Sequence, residues 1–264
     1  MKRLWLIFGL MAAGCAGQPS SQGNAPDAGS SLAGESSVRY RARIHTELGA
    51  GYFAQRQLVV ALEEFSTAAQ IDPGYAQAHN GMGLVWAALR EDDKAEHSFK
   101  RALQLDSGSS EAHNNYGTFL CSRNRVDESI KEFLAALRNP LYATPESAWL
   151  NAGICALKKG DQKDAETYLA NALQAQPGLR NAHFHLASIY FGRGDPVLAG
   201  KHLQQSMQGG DPTPEMLWLG VRIARATGDK NAESSHAILL RNRFPESAEA
   251  KAMRAESSAP RGAP

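Results

Sequence analysis

The chain has 264 residues, of which 43% are apolar and 21% charged, and its formal net charge is +1. This is the composition of an ordinary soluble folded protein. The balanced charge excludes the strongly basic surface of a nucleic-acid-binding domain, so we expect no nucleic acid among its partners.

The first residues have the layout of a signal peptide. Two basic residues precede an apolar run, Leu4 to Ala13, that is too short to span a bilayer about 30 Å thick. The segment Ala12 to Cys15 resembles a bacterial lipobox, in which the cysteine receives the lipid and becomes the new N-terminus. We predict a signal peptide at residues 1–14 and lipidation of Cys15. A plain secretory leader, or an intracellular chain that happens to begin with apolar residues, is the alternative.

The residues after Cys15 indicate where the anchor and the folded part lie. Residues 16 and 17 are Ala and Gly, and the absence of an Asp there favours the outer membrane, by resemblance to enteric-type lipoproteins. Residues 15–41 are rich in Gly, Ser, Ala, Pro and Gln and cannot build a core, so we predict a flexible tether. The predicted location is the periplasmic face of the outer membrane.

A 34-residue period runs from residue 42 to residue 247. In each period, small residues stand where two helices would touch and large residues fill the space between them, as in Gly83 and Phe99. This is the tetratricopeptide (TPR) pattern. It predicts an all-α, right-handed superhelix of six helix-turn-helix repeats over residues 42–247. Residues 248–264 are then a C-terminal tail, partly disordered.

A two-residue insertion within Asn139 to Pro145 interrupts the period between repeats three and four. Cys121 and Cys155 lie in the first helices of these neighbouring repeats, and in an oxidising compartment they could pair. Helix axes pack about 8–10 Å apart, whereas bonded cysteines need Cα atoms within about 7 Å. Only side chains that face each other would pair, so the spacing leaves open a disulfide or two buried thiols.

The concave face of the superhelix is the predicted binding surface, because the first helices of the repeats line it. Its first half is small and polar, and its second half is apolar and aromatic. The candidate groove residues are Phe53, Leu84, Asn114, Leu150, Ile154, Leu157, Phe184, Phe191, Trp218 and Arg222. Such a groove would fit an amphipathic helix or an extended segment of a partner protein. The alternative is that neighbouring helices cover some of the aromatic side chains.

The histidines do not form a recognisable catalytic or metal site. His45, His79, His113 and His183 recur with the repeat, which indicates a structural role, packing against the previous repeat. The chain has no His-Glu-x-x-His motif, no glycine-rich phosphate loop after a strand and no serine in a nucleophile elbow. We therefore expect a binding scaffold and not an enzyme, with no cofactor and no metal ion.

Runs of sequence inside the repeats resemble the type IV pilus biogenesis and stability lipoproteins of the PilF/PilW family. They are Asn-Asn-Tyr-Gly-Thr-Phe-Leu-Cys at residues 114–121, Asn-Pro-Leu-Tyr at residues 139–142 and Asn-Ala-Gly-Ile-Cys-Ala-Leu-Lys at residues 151–158. The resemblance implies a pilotin that binds the pilus secretin, or another pilus-assembly protein, through the concave groove. Such a protein promotes the localisation of the secretin to the outer membrane and its multimerisation there. The resemblance also implies that Cys121 and Cys155 are paired, as the matching cysteines are in some members.

Two other functions share part of this pattern. A lipid-anchored periplasmic TPR adaptor for peptidoglycan enzymes or outer-membrane assembly factors would have the same anchor, tether and repeats. A cytosolic chaperone-type adaptor would have the repeats, but a lipid on Cys15 would rule it out. Nothing in the sequence requires an oligomer, so we expect a monomer.

Overall fold

The computed structural model describes residues 36–258, and these residues form thirteen helices and no strand. The helices are α1 (Ser37–Ala54), α2 (Leu58–Ile71), α3 (Ala76–Ala88), α4 (Asp92–Leu105), α5 (Ser110–Ser122), α6 (Val126–Ala136), α7 (Pro145–Lys159), α8 (Gln162–Ala175), α9 (Arg180–Gly192), α10 (Pro196–Met207), α11 (Pro214–Thr227), α12 (Lys230–Arg243) and α13 (Ala248–Ser258).

Consecutive helices pair into six helical hairpins, from α1 with α2 to α11 with α12. The first helix of each repeat contacts the first helix of the next repeat. Over residues 36–258, by contrast, no second helix contacts the second helix of another repeat. The first helices are therefore closer together and form the concave wall, while the second helices spread apart on the convex side. The predicted all-α superhelix of TPR repeats is confirmed.

A small residue on each first helix allows a large side chain of the second helix to pack against its backbone. A Cβ atom added to Gly83 would lie 2.7 Å from Cδ1 of Phe99, whose side chain is fully buried. A Cβ atom on Gly117 would lie 2.8 Å from Cδ1 of the buried Phe133. The two helices of a repeat thus pack more closely than any larger residue at the glycine position would allow.

The turn between the two helices of each repeat contains one residue with a positive φ. In repeats four to six this residue is glycine, and the aspartate that follows it caps the second helix; Asp195, for example, accepts a hydrogen bond from the backbone N–H of Leu198 at 2.9 Å. In repeats one to three the residues are Arg56, Arg90 and Asn124, with φ of 64°, 63° and 62°. A residue with a Cβ atom adopts this left-handed conformation at a cost of about 1–2 kcal/mol.

Both ends of the repeat array differ from the predicted boundaries. Helix α1 begins at Ser37 rather than at residue 42, and an ion pair of 2.5 Å between Arg39 and Asp72 ties its first turn to the end of α2. Residues 248–258 form α13 where the period predicts a partly disordered tail. Because Ala250 and Met253 are buried against α11 and α12, this helix covers the open end of the last repeat.

The predictions for the N-terminal segment concern residues that the structure does not describe. They are the signal peptide at residues 1–14, the lipidation of Cys15 and most of the tether at residues 15–41. Within residues 36–258, no helix is long and apolar enough to cross a membrane.

Candidate functional site

The ten predicted groove residues all lie on the first helices that form the concave wall. Nine of them are half-buried and Arg222 is exposed. Phe184, Phe191 and Trp218 belong to the half-buried set, so part of each aromatic side chain remains open to solvent. Cys121, by contrast, is buried inside the wall and contributes little surface to the groove.

Arginine side chains lie over the aromatic rings at the C-terminal end of the groove. The guanidinium of Arg222 lies 4.7 Å from the ring centroid of Phe191, and that of Arg225 lies 5.6 Å from the ring of Trp218. Arg225 is also held by ion pairs with Glu233 (2.8 Å) and with Glu256 on α13. Arg222 forms no ion pair with any residue in the range 36–258. This end of the groove therefore combines apolar surface with an available positive charge.

From α3 to α7, asparagine side chains form hydrogen bonds between neighbouring first helices. Asn115 on α5 donates to Oδ1 of Asn80 on α3 at 3.3 Å. Asn151 on α7 donates to Oδ1 of Asn114 at 3.1 Å and to the hydroxyl of Thr118 at 3.4 Å. Of these amides, sequence reasoning singled out Asn114 as a candidate site residue and missed Asn115 and Asn151. The signal was present, because Asn80 and Asn114 are one period apart, but their partners follow at a different position of the repeat.

The structure joins Cys121 and Cys155 by a disulfide, with Cα atoms 5.9 Å apart. Ser129 on α6 donates a hydrogen bond of 3.3 Å to Sγ of Cys155. Nζ of Lys158 donates to the carbonyl of Cys121 at 3.1 Å. The bond connects the first helices of repeats three and four, where the insertion interrupts the period.

The recurring histidines His45, His113 and His183 contact the second helix of their own repeat, and His113 and His183 also bond to the end of the preceding repeat. Nδ1 of His113 lies 2.6 Å from a carboxylate oxygen of Glu132 on the second helix, and its Nε2 donates to the carbonyl of Ser107. The hydrogen bond to Glu132 raises the pKa of His113. His45 makes the corresponding contact with Glu64 at 2.7 Å. These contacts fit the predicted structural role, and because Ser107 lies in the connection from the preceding repeat, the ring of His113 joins two repeats.

Repeat five replaces this ion pair with two histidines. Nε2 of His183 donates to the carbonyl of Pro177, so its Nδ1 accepts the hydrogen bond of 3.0 Å from Nδ1 of His202. Burial, followed by the nearby His183, lowers the pKa of His202. The pair is too small a ligand set for a metal centre, and the described part of the chain has no group of three or more His, Cys, Asp or Glu residues that could hold a metal ion.

A second apolar surface lies on α1, the first helix of the described residues. Leu48 is 46% exposed and Val38 is 40% exposed. Together with Ile44 and Tyr52, Leu48 lines a shallow cavity of about 500 Å³. Among the described helices, α1 contacts only α2 and α3, whereas the aromatic end of the groove lies on α9 and α11, so the two surfaces can be altered independently.

The family model described as "Tetratricopeptide repeat" matches the chain over residues 46–110, 93–148, 122–180 and 150–212. Among curated relatives, the type IV pilus assembly protein PilF of Pseudomonas aeruginosa is 26% identical over 212 residues. That alignment covers 80% of this chain and 84% of the relative.

Two solved structures of type IV pilus proteins are also similar to this chain. The structure of PilF from Pseudomonas aeruginosa has a TM-score of 0.78 and 25% identity, and the match covers 84% of this chain and all of that one. The structure of PilW, described as a widely conserved type IV pilus biogenesis factor, has a TM-score of 0.73 and 33% identity. Here the match covers 81% of this chain and 98% of PilW.

Proposed function

This chain belongs to the TPR proteins of the PilF/PilW family of type IV pilus biogenesis, and on that premise we propose that it is a pilotin for the pilus secretin. Its lipid, attached to Cys15, holds it at the periplasmic face of the outer membrane. Its concave groove captures a segment of the secretin. Bringing secretin subunits to the membrane in this way promotes their localisation and multimerisation.

The observation that carries the binding step is the half-buried aromatic end of the groove. Phe184, Phe191 and Trp218 expose part of their rings on α9 and α11, and Arg222 adds a charge that no acidic residue in the range 36–258 neutralises. Aromatic and arginine side chains in a partly dry pocket are the residues that carry most of the free energy in protein interfaces. The TPR stack holds them in place before the partner arrives, which lowers the entropy lost on binding.

The disulfide between Cys121 and Cys155 supports this role without taking part in contact with the partner. The disulfide lies in the middle of the stack of repeats. We propose that it tightens the contact between α5 and α7, which the insertion before repeat four would otherwise loosen. A bond at this point keeps the polar and the aromatic halves of the groove in one fixed arrangement. Its formation fits the oxidising periplasm that a lipid on Cys15 implies.

Heat-resistant secretin multimers in outer-membrane fractions test the proposed function. The comparison requires the wild type, a deletion of the gene, the Cys15→Ala variant and a groove variant, Phe184→Ala with Trp218→Ala. We expect multimers in the wild type, none in the deletion, misplaced secretin with Cys15→Ala, and a strong loss with the groove variant. A Leu48→Asp variant tests whether the exposed apolar surface of α1 also contributes to multimer formation. Val197→Asp, on the exposed convex surface, is the control. Normal multimers in the deletion would contradict the proposal and leave a TPR scaffold with another client.

A further inference from the structure

We propose that helix α1 binds the same helix of a second copy of this chain, so that two copies pair through one face of their first repeats. This face consists of Ile44, Leu48 and Gly51 and is termed the stacking face. It contains none of the predicted groove residues, and the pairing does not depend on the secretin as a partner. It replaces the expectation of a monomer with a closed pair of chains.

The later repeats show what the stacking face contacts in this fold. Its three residues are spaced i, i+4 and i+7, so they share one side of α1. On α5, the residues that correspond to Leu48 and Gly51 are Tyr116 and Phe119. The rings of both lie 5.7 Å from the ring of Phe99, which belongs to α4 in the preceding repeat. The face is therefore the one by which a repeat packs against the helices of the repeat before it.

Gly51 makes the stacking face of α1 different from that of the other first helices. The residues at its position in repeats two to six are all larger and all buried; they are Val85, Phe119, Cys155, Ile189 and Ile223. Gly51 is exposed, and a Cβ atom added to it would meet nothing within 4 Å. Its neighbour Leu48 is 46% exposed. The face thus presents apolar side chains beside a notch at Gly51, which are the two halves of a knob-into-hole contact.

A second α1 helix that runs antiparallel supplies both halves. With a two-fold axis between Glu47 and Leu48, Ile44 and Gly51 lie at equal distances on either side of the axis. Ile44 of each copy then enters the notch at Gly51 of the other, and the two Leu48 side chains meet near the axis. The carboxylate of Glu47 is paired with Arg43 at 2.6 Å, so the axis does not bring two uncompensated negative charges together.

The opposite end of the repeat array favours this closed pair over a chain of stacked copies. There, α13 covers the last repeat, with Ala250 and Met253 buried against α11 and α12. A second copy could stack head to tail only by displacing this helix, so an open filament is excluded. One helix face is a small interface, and we expect a weak pair in dilute solution. The lipid proposed at Cys15 confines the copies to one membrane and raises their effective concentration.

Thiol crosslinking of the full chain in cell membranes tests the pairing. A Leu48→Cys variant places a thiol beside the proposed axis, where a short bis-maleimide joins it to the same thiol of the second copy. Val59→Cys is the matched control, because Val59 lies on α2 of the same repeat and is 67% exposed. We expect Leu48→Cys to give at least about ten times as much crosslinked pair as Val59→Cys, measured above the wild-type background.

Filling the notch separates pairing from chance encounters. Gly51→Phe adds a side chain whose Cβ atom touches no described residue, so the fold should be retained. Combined with Leu48→Cys, it should lower the crosslinked yield to that of Val59→Cys, with an unchanged circular dichroism spectrum.

The inference is overturned if Leu48→Cys yields no more pair than the control, or if Gly51→Phe leaves the yield unchanged. A Leu48→Cys thiol that is inaccessible to maleimide, or that joins a different protein, would overturn it too, since another segment or partner would then cover the face. The secretin takes no part in this assay. Normal crosslinking in cells whose secretin multimers do not depend on this chain would contradict the proposed function and leave the pairing intact.

Discussion

The imidazole of His236 packs directly against Gly220, where an added Cβ atom would lie 2.8 Å from the Cδ2 atom of the ring. The same place in earlier repeats belongs to a large apolar side chain, such as Phe99 or Phe133. Nδ1 of His236 is buried and has no hydrogen-bond partner among the described residues. Burial lowers the pKa of this histidine. Repeat six therefore carries a polar ring in the position that forms the core of the other repeats.

We expect His236→Phe to stabilise the chain and to change how its stability depends on pH. Because the pKa of His236 is lower in the folded state than its ordinary value of 6.5, the unfolded chain binds the extra proton more readily. The wild type is therefore fully stable above about pH 6.5 and loses stability as the pH falls toward the folded-state value. The variant should gain about 1–2 kcal/mol at pH 7 by removing a buried unpaired nitrogen, and more at pH 5. Urea unfolding at the two pH values measures both effects, and an equal gain at both would contradict the assigned titration.

The close contact between Gly83 and Phe99 predicts that a glycine-to-alanine substitution destabilises the chain at this position but stabilises it where the glycine faces open space. Gly83→Ala places a Cβ atom 2.7 Å from the buried Phe99 ring, and we expect it to destabilise the chain by about 1–3 kcal/mol. Gly51→Ala, on the exposed face of the last turn of α1, meets nothing within 4 Å and should stabilise by about 0.5–1 kcal/mol. Thermal unfolding of the two variants measures the contrast. A stabilising change at both positions would mean that helix propensity, and not close packing, decides the effect at Gly83.

The positive φ of Arg90 predicts a stabilising substitution on the surface. Arg90→Gly relieves a left-handed conformation and should raise the free energy of unfolding by about 1 kcal/mol, although glycine loses more entropy on folding. Asn124→Gly is the matched variant at the corresponding turn, and its gain should be smaller because asparagine tolerates this conformation. Chemical denaturation measures the gain in the free energy of unfolding for both variants. An equal gain, or a larger gain for Asn124→Gly, would contradict the assignment of strain to Arg90.

The disulfide predicts sensitivity to reductant. Bonding Cys121 to Cys155 closes a loop with a sequence separation of 34 residues, and on the chain-entropy model it contributes about 3–4 kcal/mol. We expect a reducing agent to lower the free energy of unfolding of the wild type by that amount, and so to lower its unfolding midpoint. The Cys121→Ala and Cys155→Ala double variant supplies the control, because its midpoint should not respond to reductant. A wild-type midpoint that is equally insensitive would mean that the two thiols remain unpaired in solution.

The helices and their pairing could be predicted from the sequence because TPR contacts are local and recur with a fixed period. The packing of Phe99 against Gly83 could be predicted in this way, and so could the helices on which Phe184 and Trp218 lie. The period predicts no structure for residues beyond the last repeat. Helix α13 forms because Met253 covers the exposed end of the last repeat, which is a contact without a counterpart earlier in the chain.

Other features depend on side-chain geometry that the repeat pattern does not contain. Asn114 could be placed on the concave face, but its bond to Asn151 depends on the rotation of α7 after the insertion. The left-handed conformation of Arg90 could not be predicted either, because the residue at this turn position is glycine only in repeats four to six. His236 shows the same limit, because a histidine at a core position becomes visible only after the repeats are aligned in space.

A binding titration between the purified full chain and the periplasmic part of the pilus secretin tests the central claim most directly. Calorimetry on the wild type and on Phe184→Ala with Trp218→Ala, with Val197→Asp as the control on the convex surface, measures the role of the groove. We expect the wild type and the control to bind alike, and the groove variant to bind at least about a hundredfold more weakly, as the loss of two central aromatic anchors implies. Unchanged binding by a folded groove variant would contradict the account and move the secretin site away from the concave face.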